Sequence, residues 1–222
     1  MYIPAHFAAT EDLDQIAAFV ERVGTADLVT FDGDKPIATL IPIIWERPGP
    51  EAGKEAGHGR LLGHIALQNP QWRTAAPGAQ ALAIVDGPQA YVSPSWYQST
   101  KDHGRTVPTW NYTSVHFTGD VTFHQDSDWL RDVVTRLTER YERGREGRWW
   151  VTDAPEKFIA GQLRAIVGVE LVIRQLEAKE KLSQNRDDTD RANVIAALGS
   201  ESDPQAREIA DLMKQREALA ER

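Results

Sequence analysis

The sequence predicts a mainly β protein with flanking helices, an α+β chain built on an antiparallel barrel. Three observations predict it. Apolar runs of strand length follow one another with turn signals between them, as hairpins require. Val115, Phe117, Val121 and Phe123 alternate with polar residues, and Val167, Val169, Leu171 and Ile173 repeat the pattern later, so two long strands each bury one face. Helical periodicity is confined to the ends of the chain and to crossovers between strands.

Taken in order, Thr10 is the expected cap of a first helix, with Glu11 and Asp12 placed for its dipole. Leu13, Ile16, Ala17 and Val20 form its apolar face, and Gly24 ends it. Ala26 to Phe31 and Ile37 to Trp45 read as a hairpin around Asp32-Gly33-Asp34. Arg47 to Gly59, rich in Gly and Pro, is an excursion before a return strand, Leu61 to Ala66. Asn69-Pro70 signals a short helix through Trp72 and Ala75, with Asn69 as cap and Pro70 in the first helical position. Ala81 to Asp86 and Gln89 to Ser93 are two strands around Gly87-Pro88, and Pro94 to Thr106 is a loop. Gly119 suggests a bend or bulge in the strand that follows. Ser127 caps a helix whose core face is Leu130, Val133, Val134, Leu137 and Tyr141. Pro155 starts a helix with Phe158 and Leu163, and residues 189–198 are helical. Pro204 to Ala220 is a terminal helix with Ile209, Leu212, Met213 and Leu219 on one side. The expected organisation is one domain over residues 1–200 and a helical extension over 201–222.

Bulk composition narrows the function. With no cysteine there are no disulfides, thiol nucleophiles or thiolate metal sites. No apolar run reaches the roughly 20 residues of a membrane span, and no leader pattern is visible, so the cytoplasm is the expected location. The formal charge of −8, from 25 basic and 33 acidic residues, gives no overall footprint for nucleic acid. Only Arg140, Arg143, Arg145 and Arg148 cluster, as a solvated helix end would. The six histidines show no HxxxH or HExxH spacing, so no metal site is expected. GxSxG, GxGxxG and GxxxxGK[ST] are all absent, which removes a serine-hydrolase elbow, a dinucleotide fingerprint and a P-loop.

Chemistry concentrates in five stretches: MYIP at 1–4, GHIALQNPQW at 63–72, YVSPSWY at 91–97, VPTWNY at 107–112 and KLSQNR at 181–186. Their aromatics carry apolar faces with polar tips, and their Asn, Gln and Ser carry donors and acceptors, a mixture suited to a flat ligand with polar edges. His64, Gln68 and Asn69 stand where a strand end meets a helix start, a place for an anion, although Asn69 also serves as a plain cap and Trp72 as core. Ser93, Ser95, Trp96, Tyr97, Trp110 and Asn111 can build an aromatic wall with hydrogen-bonding edges, or a loop fastened by packed rings. Lys181, Ser183, Gln184, Asn185 and Arg186 can bring a cation to a phosphate or a ring, or form a polar turn.

Together the five stretches resemble the PaiB family of FMN-binding proteins, sometimes described as negative transcriptional regulators, from residue 1 to about residue 198. The resemblance implies an FMN-binding split β-barrel of the pyridoxamine-phosphate-oxidase type, a homodimer, and FMN in clefts between subunits. It implies that Thr39 and Leu40 lie on a strand lining the flavin, and that His64, Ile65, Asn69 and Trp72 lie near its phosphate. It places Ser114 where an oxidase relative contacts the flavin through an amide, and it brings Lys181 and its neighbours in from the C-terminal segment. One departure stands out: the oxidases carry Arg and Lys just after the phosphate strand, whereas Leu67 to Trp72 hold no cation before Arg73. The expected function is redox chemistry, in the form of an FMN-dependent oxidoreductase, or flavin-linked regulation. The alternatives are a DNA-binding regulator without enzymatic activity and a haem-handling protein with His64 or His116 as axial ligand.

Overall fold

Six strands form the sheet: β1 (Thr25–Phe31), β2 (Pro36–Glu46), β3 (Arg60–Ala66), β4 (Gln80–Val92), β5 (Thr109–His124) and β6 (Ile166–Lys181). The computed structural model describes residues 1–9, 12–49, 57–76 and 78–220, without the side chains of the last two. Thr10, Glu11, most of the Arg47–Gly59 excursion and the Leu219 side chain therefore lie outside the described residues. The strands close into a barrel in the order β1-β2-β3-β6-β5-β4. The pairings of β1 with β2 and β4, and of β3 with β2 and β6, are all antiparallel.

The first hairpin is set by its turn. The Asp32 carboxylate accepts the backbone N–H of Asp34 at 3.1 Å and of Lys35 at 3.0 Å, which fixes the chain reversal. That places Leu28 opposite Thr39 and Val29 opposite Ala38. Ala26, Leu28 and Thr30 point inward with period two. Phe117, Val121, Val167, Val169, Leu171 and Ile173 are buried as their alternation predicts. Each such side chain contributes about 1.5–3 kcal/mol by leaving water.

Several local expectations are corrected. Gly87-Pro88 does not separate two strands: β4 runs unbroken through it, since proline's φ suits an extended chain wherever its missing N–H faces no ladder partner. Pro94 to Thr106 is not irregular but holds a 3-10 turn at Pro94–Trp96 and the helix α3 (Gln98–His103). VPTWNY belongs mostly to a strand, because β5 already begins at Thr109. At Gly119 the strand β5 continues, and a Cβ there would come within 2.0 Å of the Val172 carbonyl, so the site needs glycine for close approach of β6.

The helices are α1 (Leu13–Val23), α2 (Gln71–Thr74), α4 (Ser127–Glu142), α5 (Glu156–Leu163), α6 (Asp188–Ser200) and α7 (Pro204–Ala220), besides α3. Among the described residues, the Asp12 carboxylate serves the start of α1 by accepting the Asp14 N–H at 2.8 Å. Gly24, at φ +73°, ends it. Leu13, expected on the buried face, is exposed. The cap of α4 is Asp126 rather than Ser127: its carboxylate accepts the N–H groups of Asp128 and Trp129. Leu130, Val133 and Leu137 are buried on α4, while Tyr141 is exposed and donates its hydroxyl to the Gly24 carbonyl at 2.6 Å. Pro155 occupies the cap position of α5, on which Ile159 and Leu163 are buried and Phe158 is exposed. Pro70 is likewise the cap of α2, not its first residue, and the Asn69 side chain accepts the Gln71 N–H at 2.9 Å.

The chain divides into two compact units. One comprises Met1–Ile16, Asp86–Val115 and Ala178–Arg222; the other comprises Ala17–Val85 and His116–Glu177. We call them the motif unit and the barrel unit, because four of the five unusual stretches fall in the first. The core of the motif unit gathers Ala90, Val92, Tyr97, Leu182, Val194, Leu198, Ala206, Ile209, Ala210 and Met213. The terminal helix α7, expected as an extension, thus packs Ile209, Ala210 and Met213 into that core. In the barrel unit, α4 and α5 bury Leu130, Val151, Ile159 and Leu163 together, and Leu62 packs with Val133 and Leu137. Gly168 makes room there for the Trp129 ring, whose Cζ3 a Cβ would approach within 2.1 Å.

Candidate functional site

In the barrel unit, the GHIALQNPQW stretch turns out to be internally wired. Gln71 is fully buried. Its side-chain N–H groups donate to the Leu28 carbonyl at 3.0 Å and the Ile37 carbonyl at 3.3 Å, and its Oε1 accepts the Thr39 hydroxyl at 2.7 Å. The Asn69 amide in turn donates to Thr39 Oγ1 at 2.9 Å. Thr39 and Asn69, both expected at a ligand, are brought together, with Gln71 joining them. Trp72 donates its indole N–H to the Leu67 carbonyl at 3.0 Å, and the Arg73 guanidinium lies over its ring at 4.4 Å. Ile65 is buried, whereas Leu40 is 65% exposed on β2. His64 is half-buried; its Nδ1 is buried and has no hydrogen-bond partner among the described residues. Burial alone holds its pKa below the usual histidine value, so the ring is neutral at neutral pH.

The motif unit draws the other stretches into one neighbourhood. Asn111, fully buried, donates to Ser183 Oγ at 3.0 Å. The Lys181 ammonium donates to the Thr109 hydroxyl and the Trp110 carbonyl. It also lies 5.6 Å from the centre of the Phe7 ring, which joins the N-terminal stretch to KLSQNR. Lys179 donates to the Tyr2 carbonyl at 3.1 Å and faces the Tyr112 ring at 5.2 Å, while Ala8 bridges to the backbone of Lys179. The Arg186 guanidinium stacks over Tyr97 at 4.4 Å. MYIPAHF, YVSPSWY, VPTWNY and KLSQNR are therefore joined by direct contacts.

Not every predicted residue presents itself to a ligand in the same way. Tyr97 belongs to the apolar core, and Asn111 is closed off beneath the surface. Gln184 closes its own turn, accepting the Leu182 N–H at 2.7 Å and donating to the Glu180 carbonyl at 2.6 Å. Asn185 is exposed. Ser95 shares a hydrogen bond with Ser93 at 2.8 Å. Trp110 is 52% exposed, and Trp96 is half-buried, packed on the apolar core. Both line one crevice. Ser114 is buried, and its hydroxyl has no hydrogen-bond partner among the described residues; its neighbour Thr113 is in the same position.

A local group of cations stands out in this unit against the acidic balance of the chain. Burial, then the charges of Lys179 and Arg186, hold the Lys181 ammonium below the usual lysine value. Three cations thus crowd one end of β6, a setting that favours an anion. Two acids of this unit do other work. Glu180 pairs with Arg216 at 2.7 Å, yet burial outweighs the pair and raises its pKa. Asp190 accepts the Ser99 N–H at 3.1 Å and the Ser99 hydroxyl at 2.5 Å. Burial opposes its charge, but the Ser99 bonds outweigh it and lower the pKa. Gln71 lies within the GHIALQNPQW stretch but was not singled out in it; for Asp190 the available sign was the Asp187-x-x-Asp190 helix start, where Asp187 caps α6 by accepting the Asp190 N–H at 2.9 Å.

Three of the four clustered arginines make contacts within the barrel unit. Arg140 donates to the carbonyls of Ile43 and Glu21, Arg145 donates to the Tyr141 carbonyl, and Arg148 stacks over Trp150 at 3.6 Å. His124 pairs with Glu170 at 2.8 Å and stacks on Trp129. Among the described residues, no group of three His, Asp or Glu side chains is placed to hold a metal ion. Among them, too, no helix is long and apolar enough to cross a membrane.

Comparison with known proteins matches this architecture. Residues 1–175 match the family model described as "Putative FMN-binding domain", which ends before Lys181. The chain is 36% identical over 214 residues to the protease synthase and sporulation protein PAI 2 of Bacillus subtilis strain 168, covering 96% of this chain and 97% of that protein. Its structure resembles the FAD and heme binding protein of Mycobacterium smegmatis with a TM-score of 0.56 at 17% identity, over 90% of this chain and 96% of that one. It also resembles the flavocytochrome Anf3 of Azotobacter vinelandii with a TM-score of 0.56 at 14% identity, over 82% of this chain and 74% of that one. These two likenesses concern the fold alone, which is an antiparallel split β-barrel of the FMN-binding type.

Proposed function

The chain belongs to the PaiB-type FMN-binding-domain family, and from that premise we propose that it is a cytoplasmic homodimer that binds FMN for redox chemistry or flavin-linked regulation. The observation that carries the reading is Ser114. Its buried hydroxyl oxygen lacks any partner among the described residues, and it stands on the strand where the family resemblance expects a flavin contact. An unsatisfied buried hydroxyl costs about 1–3 kcal/mol, a cost that a ligand's polar edge removes.

The residues present suit an anionic, flat cofactor. Lys181 spends two of its donors on Thr109 and Trp110, which aims the ammonium and leaves a third donor for a ligand. Lys179 and Arg186 add positive charge around it. In the barrel unit, Thr39 and Asn69 act mainly through the framework they form with Gln71. When bound, FMN supplies the electron chemistry; the chain binds it, orients it and sets the charge around it. A second copy of the chain covers the exposed Leu40 and Phe31 in this reading. Direct DNA binding lacks comparable support, since Arg140, Arg145 and Arg148 direct their guanidinium groups within the chain.

A visible-spectrum titration tests the proposal. FMN added to the purified protein is expected to show a perturbed flavin spectrum that saturates near one flavin per subunit, with a solution mass of two subunits. Failure to saturate at tens of micromolar, an affinity weaker than about −6 kcal/mol, would reject it.

A further inference from the structure

Within the motif unit, a crevice of about 490 Å³ opens among Tyr91, Trp96, Trp110, Leu198, Glu201 and Asp203, a volume in the range of small-molecule sites. One side is aromatic. Tyr91 and Trp110 meet edge to face with ring centres 6.2 Å apart, and both are about half exposed. Trp96 stands with them, backed by the apolar core that fixes its position. The floor is apolar, from Ala90, Leu198 and Ala206.

The lining also carries two acids. Glu201 and Asp203 come from the connection between α6 and α7, and neither carboxylate forms an ion pair among the described residues. Asp203 is held in place because one of its oxygens accepts the Gln205 N–H at 2.9 Å. The adjacent cation, Arg207, directs its guanidinium to the backbone carbonyls of Glu201 at 2.7 Å and Ser202 at 2.8 Å. Aromatic faces and unpaired carboxylates lining one crevice attract a weakly hydrated cation. The same carboxylates repel a phosphate, so the crevice is a poor seat for the anionic end of a nucleotide.

We infer that this crevice binds an organic cation, a quaternary or alkylammonium group on a small body. The inference does not rest on the flavin reading, because the residues that recognise the cation are different from Ser114, Lys181 and His64. The three rings supply the cation–π faces, Glu201 and Asp203 supply the countercharge, and the small floor residues give the alkyl groups an apolar surface.

The test is a titration of the full chain with tetramethylammonium chloride at constant total chloride, read by tryptophan emission, with tert-butanol as a neutral control of similar shape. Saturable change with tetramethylammonium and none with tert-butanol is expected. The paired substitution Glu201→Gln and Asp203→Asn, which keeps an oxygen to cap α7, is expected to weaken binding about tenfold, the scale of one charge-assisted contact. Should the pair fail to fold by circular dichroism, Glu201→Gln alone is expected to weaken binding about threefold. No saturation, equal binding of tert-butanol, or unchanged affinity in the folded variant overturns the inference. FMN titrated into the same proteins separates the two readings: loss of flavin binding alone rejects the flavin proposal and leaves the cation site standing.

Discussion

Asn111 and Ser183 are 72 residues apart in the chain and share buried hydrogen bonds: the Asn111 amide donates to Ser183 Oγ at 3.0 Å, and the Ser183 hydroxyl lies 3.2 Å from Asn111 Oδ1. Ser183 holds this place at φ +64°, where a non-glycine residue is strained. The pair joins VPTWNY to KLSQNR. Asn111→Ala is expected to cost about 2–3 kcal/mol, because it leaves the Ser183 hydroxyl buried without its partner. Ser183→Gly, which accepts the same φ freely, is expected to cost less than Ser183→Ala. Denaturant unfolding of the three variants checks the order, and a Ser183→Gly variant less stable than Ser183→Ala would contradict it.

Gln71 ties α2 to two strands through Thr39 and the carbonyls of Leu28 and Ile37. Gln71→Ala is expected to cost about 2–4 kcal/mol, since it opens a cavity and removes three hydrogen bonds. Gln71→Glu is expected to be at least as damaging, because a carboxylate has no N–H for the two carbonyls. Thermal unfolding read by circular dichroism measures both.

Gly119 permits the Val172 carbonyl to approach within 2.0 Å of where a Cβ would stand. Gly119→Ala must push backbone, not a flexible side chain, and is expected to cost about 3 kcal/mol or more. A Gly119→Ala protein with unchanged midpoint in denaturant would show that β5 and β6 are not so closely opposed.

Lys181 titrates below the ordinary lysine value, with burial the main cause and Lys179 and Arg186 adding to it. The charged form is the disfavoured one in the free protein, so this group's cost to stability is present below its lowered pKa and disappears as pH rises towards the unfolded value. An anionic ligand requires the same charge. FMN affinity is therefore expected to fall as pH rises through that lowered value, and the fall is expected to vanish in Lys181→Met. Binding measured from pH 7 upward checks this; an identical profile in both proteins would rule out Lys181 as the group responsible.

Much of the barrel was legible because its strands alternate. Val167, Val169, Leu171 and Ile173 announced β6, and Asp32-Gly33-Asp34 announced the first hairpin. β4 was harder, since Gly87-Pro88 is a turn signal that a tertiary setting overrode. The helix α3 is short, and its start depends on Ser99 bonding Asp190 far away in the chain. The same distance hid Gln71 and Asp190: a buried amide or carboxylate reveals itself through partners about 30 to 90 residues off, not through neighbours. Motif composition did lead to Asn111, Lys181 and Ser183, but not to which were sealed inside and which faced a ligand.

The most direct measurement is the FMN affinity of the native chain beside Ser114→Ala and Lys181→Met, each with its unfolding free energy. Ser114→Ala is predicted to leave stability equal or slightly higher, because an unsatisfied buried hydroxyl is removed, while FMN binding weakens about fivefold to tenfold, the worth of one hydrogen bond. Lys181→Met is predicted to weaken FMN binding about tenfold or more through the lost charge. Native-like FMN affinity in both folded variants would contradict the assignment of these residues to the flavin.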